Sequence, residues 1–302
     1  MADLQRNQSG SFHLDQQDRL TRLVEKFICN PDPAWAPLRE VLQIISKQSW
    51  HACLFGGLMC RLLAHGFNYK PRDVDIVLAG ASTGDLQRVF AEYPHSWTRF
   101  GGIRVQWKGW TFDLWPLDQT WAFRERVIRP FGSGILYGFD RLPESTFLDI
   151  EAVAVELTDD LQKVHQVYEK GFFKAIQSKQ VNINLEYNSS PEQAVVRSLI
   201  LACQLQFTLG PELVHYVALL AQKNKTARLL RIQRSLYGTH PNDGQILENW
   251  LSAVIQHQSY SPHSQPGLRL RKEEPWLGKK LVRPERNPET KVVPRKSRTQ
   301  YR

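Results

Sequence analysis

The apolar positions of the chain fall into two regimes. Residues 14–29 (LDQQDRLTRLVEKFIC) set Leu14, Leu20, Leu23, Phe27 and Ile28 near helical spacing, and residues 37–47 (PLREVLQIISK) predict a second helix with Pro37 in its first turn. HACLFGG (51–57) then reads as a short buried strand ending in paired glycines, and LMCRLLAHG (58–66) as a helix closed by Gly66. DVDIVLAG (73–80) predicts a strand and TGDLQRVFAEY (83–93) a helix. IRVQW and WTFDLWPL predict two strands joined as a hairpin across Lys108 and Gly109. From about residue 145 the pattern turns helical. DIEAVAVEL (149–157) is assigned to the strand-bearing part, and PEQAVVRSLILACQLQF (191–207), PELVHYVALLAQKN (211–224) and residues 225–257 to helices. No internal repeat interrupts this order.

The expected fold class is α+β. N-terminal helices occupy residues 1–50, a small mixed-sheet domain 51–157, and an all-helical domain 158–257, followed by a tail at 258–302. Charge sharpens the last boundary. The net charge is +9, but residues 258–302 hold 12 Lys/Arg against 4 Asp/Glu, so the body is nearly neutral and the tail carries the charge. With several prolines and few large apolar residues, the tail is expected to be disordered, and its basic character suits nucleic-acid phosphates. No run of eighteen apolar residues predicts a membrane span, and the polar N-terminus lacks a signal-peptide core. The four cysteines form no CxxC pair and no zinc spacing, so reduced thiols in a cytoplasmic protein are expected.

Candidate chemistry starts at PRDVDIVL (71–78). Side chains two apart on a strand share a face, so Asp73 and Asp75 project together and repel. Hard oxygen ligands of this kind suit Mg²⁺, which binds one or two carboxylates together with substrate phosphates. Gly56 and Gly57 end the preceding strand, where missing side chains let a phosphate approach backbone N–H groups at a helix start. A third acid, Asp113, lies in the apolar strand WTFDLWPL and needs a partner there. Three carboxylates holding two metal ions can activate a hydroxyl and stabilise a leaving pyrophosphate. Asp118 is a rival third acid, but it follows Pro116 and is read as a loop residue, and Asp85 is read as a first-turn helix acid.

The order of glycine pair, helix, DxD strand, helix, hairpin and third acid resembles the polymerase-beta superfamily of nucleotidyltransferases. More narrowly, it resembles the head of the bacterial tRNA nucleotidyltransferase / poly(A) polymerase family. LFGGLMCRLLAHG and RDVDIVL carry the match in the head. VVRSLILACQLQFTLGPEL resembles the family's first neck helix, with Arg197, Phe207, Pro211 and Glu212 in place. The resemblance covers about residues 50–215. It implies NTP as substrate, an RNA 3′ end such as that of tRNA as acceptor, and Asp73, Asp75 and Asp113 as metal-binding and catalytic residues. Nucleotide contacts are then expected from Gly56, Gly57, Arg61, Arg72, Arg124 and Arg197. The chain also departs from the family. Cys60-Arg61 stands where the family has Arg-Asp, and STFLDIEAVAVEL keeps Ile150, Ala152 and Ala154 but loses the arginines and asparagine of the nucleotide-touching segment. The neck motif that selects C and A is absent. A standard CCA-adding enzyme is therefore not expected. The readings left are a metal-dependent transferase with a different nucleotide or acceptor, including a toxin or defence type, and a degenerate RNA-binding or regulatory module.

Other features are weighed against simpler roles. Arg124, Arg126 and Arg129 could hold phosphate or form a solvated loop, and Lys70 and Arg72 flank the DxD strand. The histidines do not cluster. Trp97, Trp107, Trp110, Trp115 and Trp121 crowd the hairpin region, where base stacking and core packing compete as explanations.

Overall fold

The computed structural model describes residues 2–67, 71–98, 100–129, 138–239, 242–260 and 267–270. Two helices, α1 (Ala2–Ile28) and α2 (Ala36–Ser46), precede a seven-stranded sheet. The sheet is formed by β1 (His51–Phe55), β2 (Val74–Ala79), β3 (His95–Trp97), β4 (Ile103–Trp107), β5 (Trp110–Pro116), β6 (Val153–Leu157) and β7 (Val164–Glu169). Its strand order is β3-β4-β5-β2-β1-β6-β7. Only β2 and β5 run parallel, and the other neighbours are antiparallel. Helix α3 (Gly57–His65) connects β1 to β2, α4 (Thr83–Val89) follows β2, and the short α5 (Trp121–Arg124) follows β5.

The hairpin forms where expected. Lys108 and Gly109 both take positive φ (46° and 77°), which is the twist a tight two-residue turn requires. Trp107 faces Trp110 across it, and Arg104 faces Asp113. The sheet is covered on both sides. Val74, Ile76, Leu78, Phe112 and Leu114 belong to the main core with α1, α2 and α3. Cys53, Val77 and Ala154 face a smaller cluster with Phe123, Phe139 and Leu142. Apolar residues therefore occupy both faces of β2 and β5, and strict polar alternation is absent for that reason.

The sheet does not stop at residue 157, where the sequence places the domain boundary. β7 pairs with β6 along Val153↔Glu169 to Leu157↔Val164, and helix α1 packs on it. β7 is an edge strand with mostly exposed or half-buried positions, so it leaves little periodic signal. After α6 (Phe172–Ser178) come α7 (Pro191–Leu205), α8 (Pro211–Lys223), α9 (Thr226–Tyr237) and α10 (Asp243–Tyr260). This region is not purely helical. β8 (Gln180–Val181), β9 (Thr208–Leu209) and β10 (Leu268–Arg269) form a small second sheet. β10 lies within the stretch predicted as disordered tail, and pairing with β9 orders it. Residues 271–302, most of that tail, lie outside the described residues. One continuous core runs from Leu20 through the sheet to Val254, so head and helical region pack as one body.

Candidate active site

β1 ends at Phe55 and the chain turns into α3 through Gly56, whose φ of 76° is left-handed and glycine-specific. The Gly56 N–H bonds the Val153 carbonyl at 3.2 Å, which ties the turn to β6. A Cβ on Gly56 would stand 3.9 Å from Asp75 Oδ2. The bare start of α3 therefore faces the DxD strand. On the second sheet face Asp75 lies directly opposite Asp113 in the parallel β2/β5 register, and Asp73 precedes it on the same side. The structure thus brings the three predicted acids and both glycines together.

The three acids differ in their partners. Arg72 donates to Asp73 Oδ2 from Nε at 2.9 Å and from Nη2 at 2.7 Å, and Oδ1 has no donor among the described residues. Arg104 grips Asp113 as a fork, Nε to Oδ1 at 2.6 Å and Nη2 to Oδ2 at 2.5 Å. Asp75 accepts no side-chain or backbone hydrogen bond among the described residues. Burial first, then the charges of Asp73 and Asp113, push its pKa well above the usual carboxylate range. Burial opposes ionisation of Asp73 as well, but Arg72, with help from Arg197 and Arg104, outweighs it and lowers that pKa.

A narrow cleft opens beside these groups, with about 30 Å³ of free volume, room for a water or two. Pro71, Arg72 and Asp73 line it from the segment entering β2, Asp75 from β2 itself, Gly57, Leu58 and Arg61 from α3, and Arg197, Leu201 and Gln204 from one stripe of α7. Tyr237 closes it from the end of α9, and the Arg72 guanidinium lies 5.7 Å from the centre of its ring. Arg197 donates from Nε to both Glu151 oxygens at 2.9 and 3.0 Å, and its Nη2 also meets Oε1. The Glu151 charge raises the Arg197 pKa above its ordinary value. Arg61 reaches Gln204 Oε1 at 3.5 Å.

Of the expected nucleotide contacts, Gly57, Arg61, Arg72 and Arg197 line the cleft and Gly56 forms its turn. Arg124 does not line it. It follows β5 on α5, pairs with Glu125 at 2.8 Å and lies over the Phe100 ring. Lys70 lies outside the described residues. Asp118 is exposed on the turn after β5, and Asp85 caps α4 by a reciprocal box with Ser82, as a first-turn acid should. Four residues of the site were not singled out from the sequence: Arg104, Glu151, Gln204 and Tyr237. Arg104 had a usable signal, because a hairpin turning at Lys108-Gly109 puts it opposite Asp113.

Hard carboxylate oxygens, an undonated Asp75 and the undonated Asp73 Oδ1 fit a divalent cation. Among the described residues, though, no three His, Cys, Asp or Glu side chains close around one point. The partners explain this, since Arg72 and Arg104 each hold one of the flanking acids.

No protein-family profile and no curated protein sequence matches this chain. Solved structures do. A complex of a CCA-adding enzyme with ATP superposes with a TM-score of 0.53 at 15% identity, over 82% of this chain and 57% of that one. A complex of a CCA-adding enzyme with CTP gives 0.53 at 14% identity, over 80% and 57%. A tRNA-processing enzyme complex gives 0.51 at 16% identity, over 72% and 57%. The chain therefore spans under three fifths of the length of these structures. The likeness shows a shared fold, a mixed-sheet head with following helices, similar to that of these CCA-adding and tRNA-processing enzyme structures.

Proposed function

We propose that this chain is a metal-dependent nucleotidyltransferase that moves a nucleoside monophosphate from an NTP to an acceptor hydroxyl, at an RNA 3′ end of tRNA-like type, without being a standard CCA-adding enzyme. The observation that carries it is the undonated Asp75, set between Asp73 and Asp113 and facing the side-chain-free start of α3. Three like charges crowded on one sheet face repel, and a purely structural role does not call for them. The triphosphate, larger than the free volume of the cleft, would lie at its mouth, with the α3 N-terminus, Arg61, Arg72 and Arg197 as donors to its oxygens. Those phosphates give Arg72 a second anion to bind and free Asp73 to turn toward Asp75. Mg²⁺ held by Asp73, Asp75 and Asp113 would supply charge to the phosphates and acidify the attacking hydroxyl. The acceptor oxygen attacks the α-phosphorus, its proton passes to a carboxylate of this face, and pyrophosphate leaves.

A second reading has its own observation. Three arginine–carboxylate pairs, Arg72–Asp73, Arg104–Asp113 and Arg197–Glu151, neutralise most of the site internally. A retired transferase kept as an RNA-binding module would look this way. The two separate when the protein is incubated with Mg²⁺, total RNA and each labelled NTP in turn, beside Asp73→Ala/Asp75→Ala. Label in RNA with the native protein alone supports transfer and identifies the nucleotide. RNA binding with no label from any NTP sinks the transferase reading.

A further inference from the structure

Four of the hairpin-region tryptophans separate into two pairs. Trp110 is buried and donates to the Ala34 carbonyl at 3.1 Å, and Trp107 donates to Glu40, so both anchor α2 and its entry to the sheet. Trp115 and Trp121 belong to a different surface. Trp121 stacks on Tyr187 with ring centres 5.7 Å apart and planes within 9°. Phe100 lies 6.4 Å from Trp121 and 6.5 Å from Trp115, and the Arg124 guanidinium covers the Phe100 ring at 5.7 Å. Tyr187 is 66% exposed, so with one ring face against Trp121 the other is open to water. A tyrosine held flat with an open face gains little from its position in the isolated protein.

The surface is braced. Gly102 presses against Trp115 so closely that a Cβ would meet the ring at 2.6 Å. Thr98 closes the turn that presents Phe100, donating N–H and Oγ1–H to the Gly102 carbonyl at 2.8 and 3.0 Å. Thr83 Oγ1 donates to the Gly101 carbonyl at 3.0 Å. Trp121 belongs to the head, while Tyr187 sits on the link running into α7, the helix that carries Arg197 into the cleft.

We infer that Trp121 and Tyr187, with Phe100 and Arg124 beside them, form a second site that stacks an unpaired base of an RNA strand, separate from the nucleotide cleft. A parallel, open-faced aromatic stack accepts any nucleobase as its next layer, and an arginine over a neighbouring ring suits the strand that carries the base. Glu125 pairs with Arg124 at 2.8 Å and offsets its charge, so stacking rather than charge carries the contact. The inference rests on the proposed RNA acceptor and adds where its unpaired nucleotides lie.

The test uses the full chain, a single-stranded oligoadenylate and a blunt RNA duplex, with Tyr187→Ala and Tyr187→Phe, reading affinity by tryptophan quenching and gel shift. Tyr187→Ala is expected to weaken the single strand about tenfold, equally at low and high salt, with Tyr187→Phe near the native protein and duplex affinity unchanged. Native affinity for the single strand in Tyr187→Ala, or no single-strand binding by the native protein, overturns the inference. NTP incorporation is measured on the same proteins with total RNA. Tyr187-dependent binding without incorporation upholds this site and sinks the transferase reading alone.

Discussion

Replacing Asp75 with asparagine tests the electrostatics of the site without removing its shape. Asp113 faces Asp75 directly in the register. Facing side chains sit roughly 5 Å apart, and at an effective dielectric near 20 two charges at that distance repel by about 3 kcal/mol. Asp73, two residues away and about 7 Å along the strand, adds about 2 kcal/mol. Arg197 and Arg72 offset most of this, leaving a cost of about 1–3 kcal/mol for ionised Asp75. The sign follows from its raised pKa. The folded protein keeps a proton at Asp75 that the unfolded chain loses above about pH 4, so stability falls as pH rises from there toward the folded pKa. Without divalent metal, Asp75→Asn should melt about 2–5 °C above the native protein near pH 8 and level with it near pH 4. Mg²⁺ should then stabilise the native protein and leave the variant unmoved. Circular-dichroism melts in chelator and in Mg²⁺ measure both. A variant less stable than the native protein at high pH without metal, or an advantage independent of pH, refutes the reasoning.

Other outcomes follow from the same contacts. Arg197→Met strands Glu151, whose side chain is only 10% exposed, and should cost about 3–5 kcal/mol in urea unfolding, with Arg197→Met/Glu151→Gln regaining most of it. Gly57→Ala puts a Cβ 3.0 Å from Glu151 Oε1 and 3.6 Å from Arg197 Nη2, so incorporation should fall on the order of 10–100-fold with little loss of melting temperature. Of the four cysteines only Cys29 is exposed, while burial pushes the Cys60 thiol up to about 12. A thiol reagent should therefore label one group in the folded protein and four after denaturation.

The acids and glycines could be read from the sequence because their meaning is local. A two-residue strand period puts Asp73 and Asp75 on one face, and a glycine pair before a helix marks a bare N-terminus. The hairpin was equally local, and its register would have given Arg104 had the pairing been counted outward from Lys108-Gly109. Edge strands were harder. β3 spans three residues and β7 keeps only Val167 buried, so neither shows a period. Tyr237 reaches the cleft from the far end of α9, and Glu151 meets Arg197 across 46 residues. Such contacts are made by packing and leave no spacing to read. Arg124 was drawn toward the nucleotide by its place after the third acid, but the parallel β2/β5 pair carries the chain past the cleft before α5 begins.

Nucleotide transfer by the Asp73–Asp75–Asp113 face has a direct test. NTP labelled at the α-phosphate and, separately, at the γ-phosphate, mixed with Mg²⁺, RNA and either the native protein or Asp75→Asn, tests it most directly. α-Label should join RNA and γ-label should leave only as pyrophosphate, and a folded Asp75→Asn should give neither. Transfer that persists in Asp75→Asn, or γ-label appearing in RNA, would contradict it.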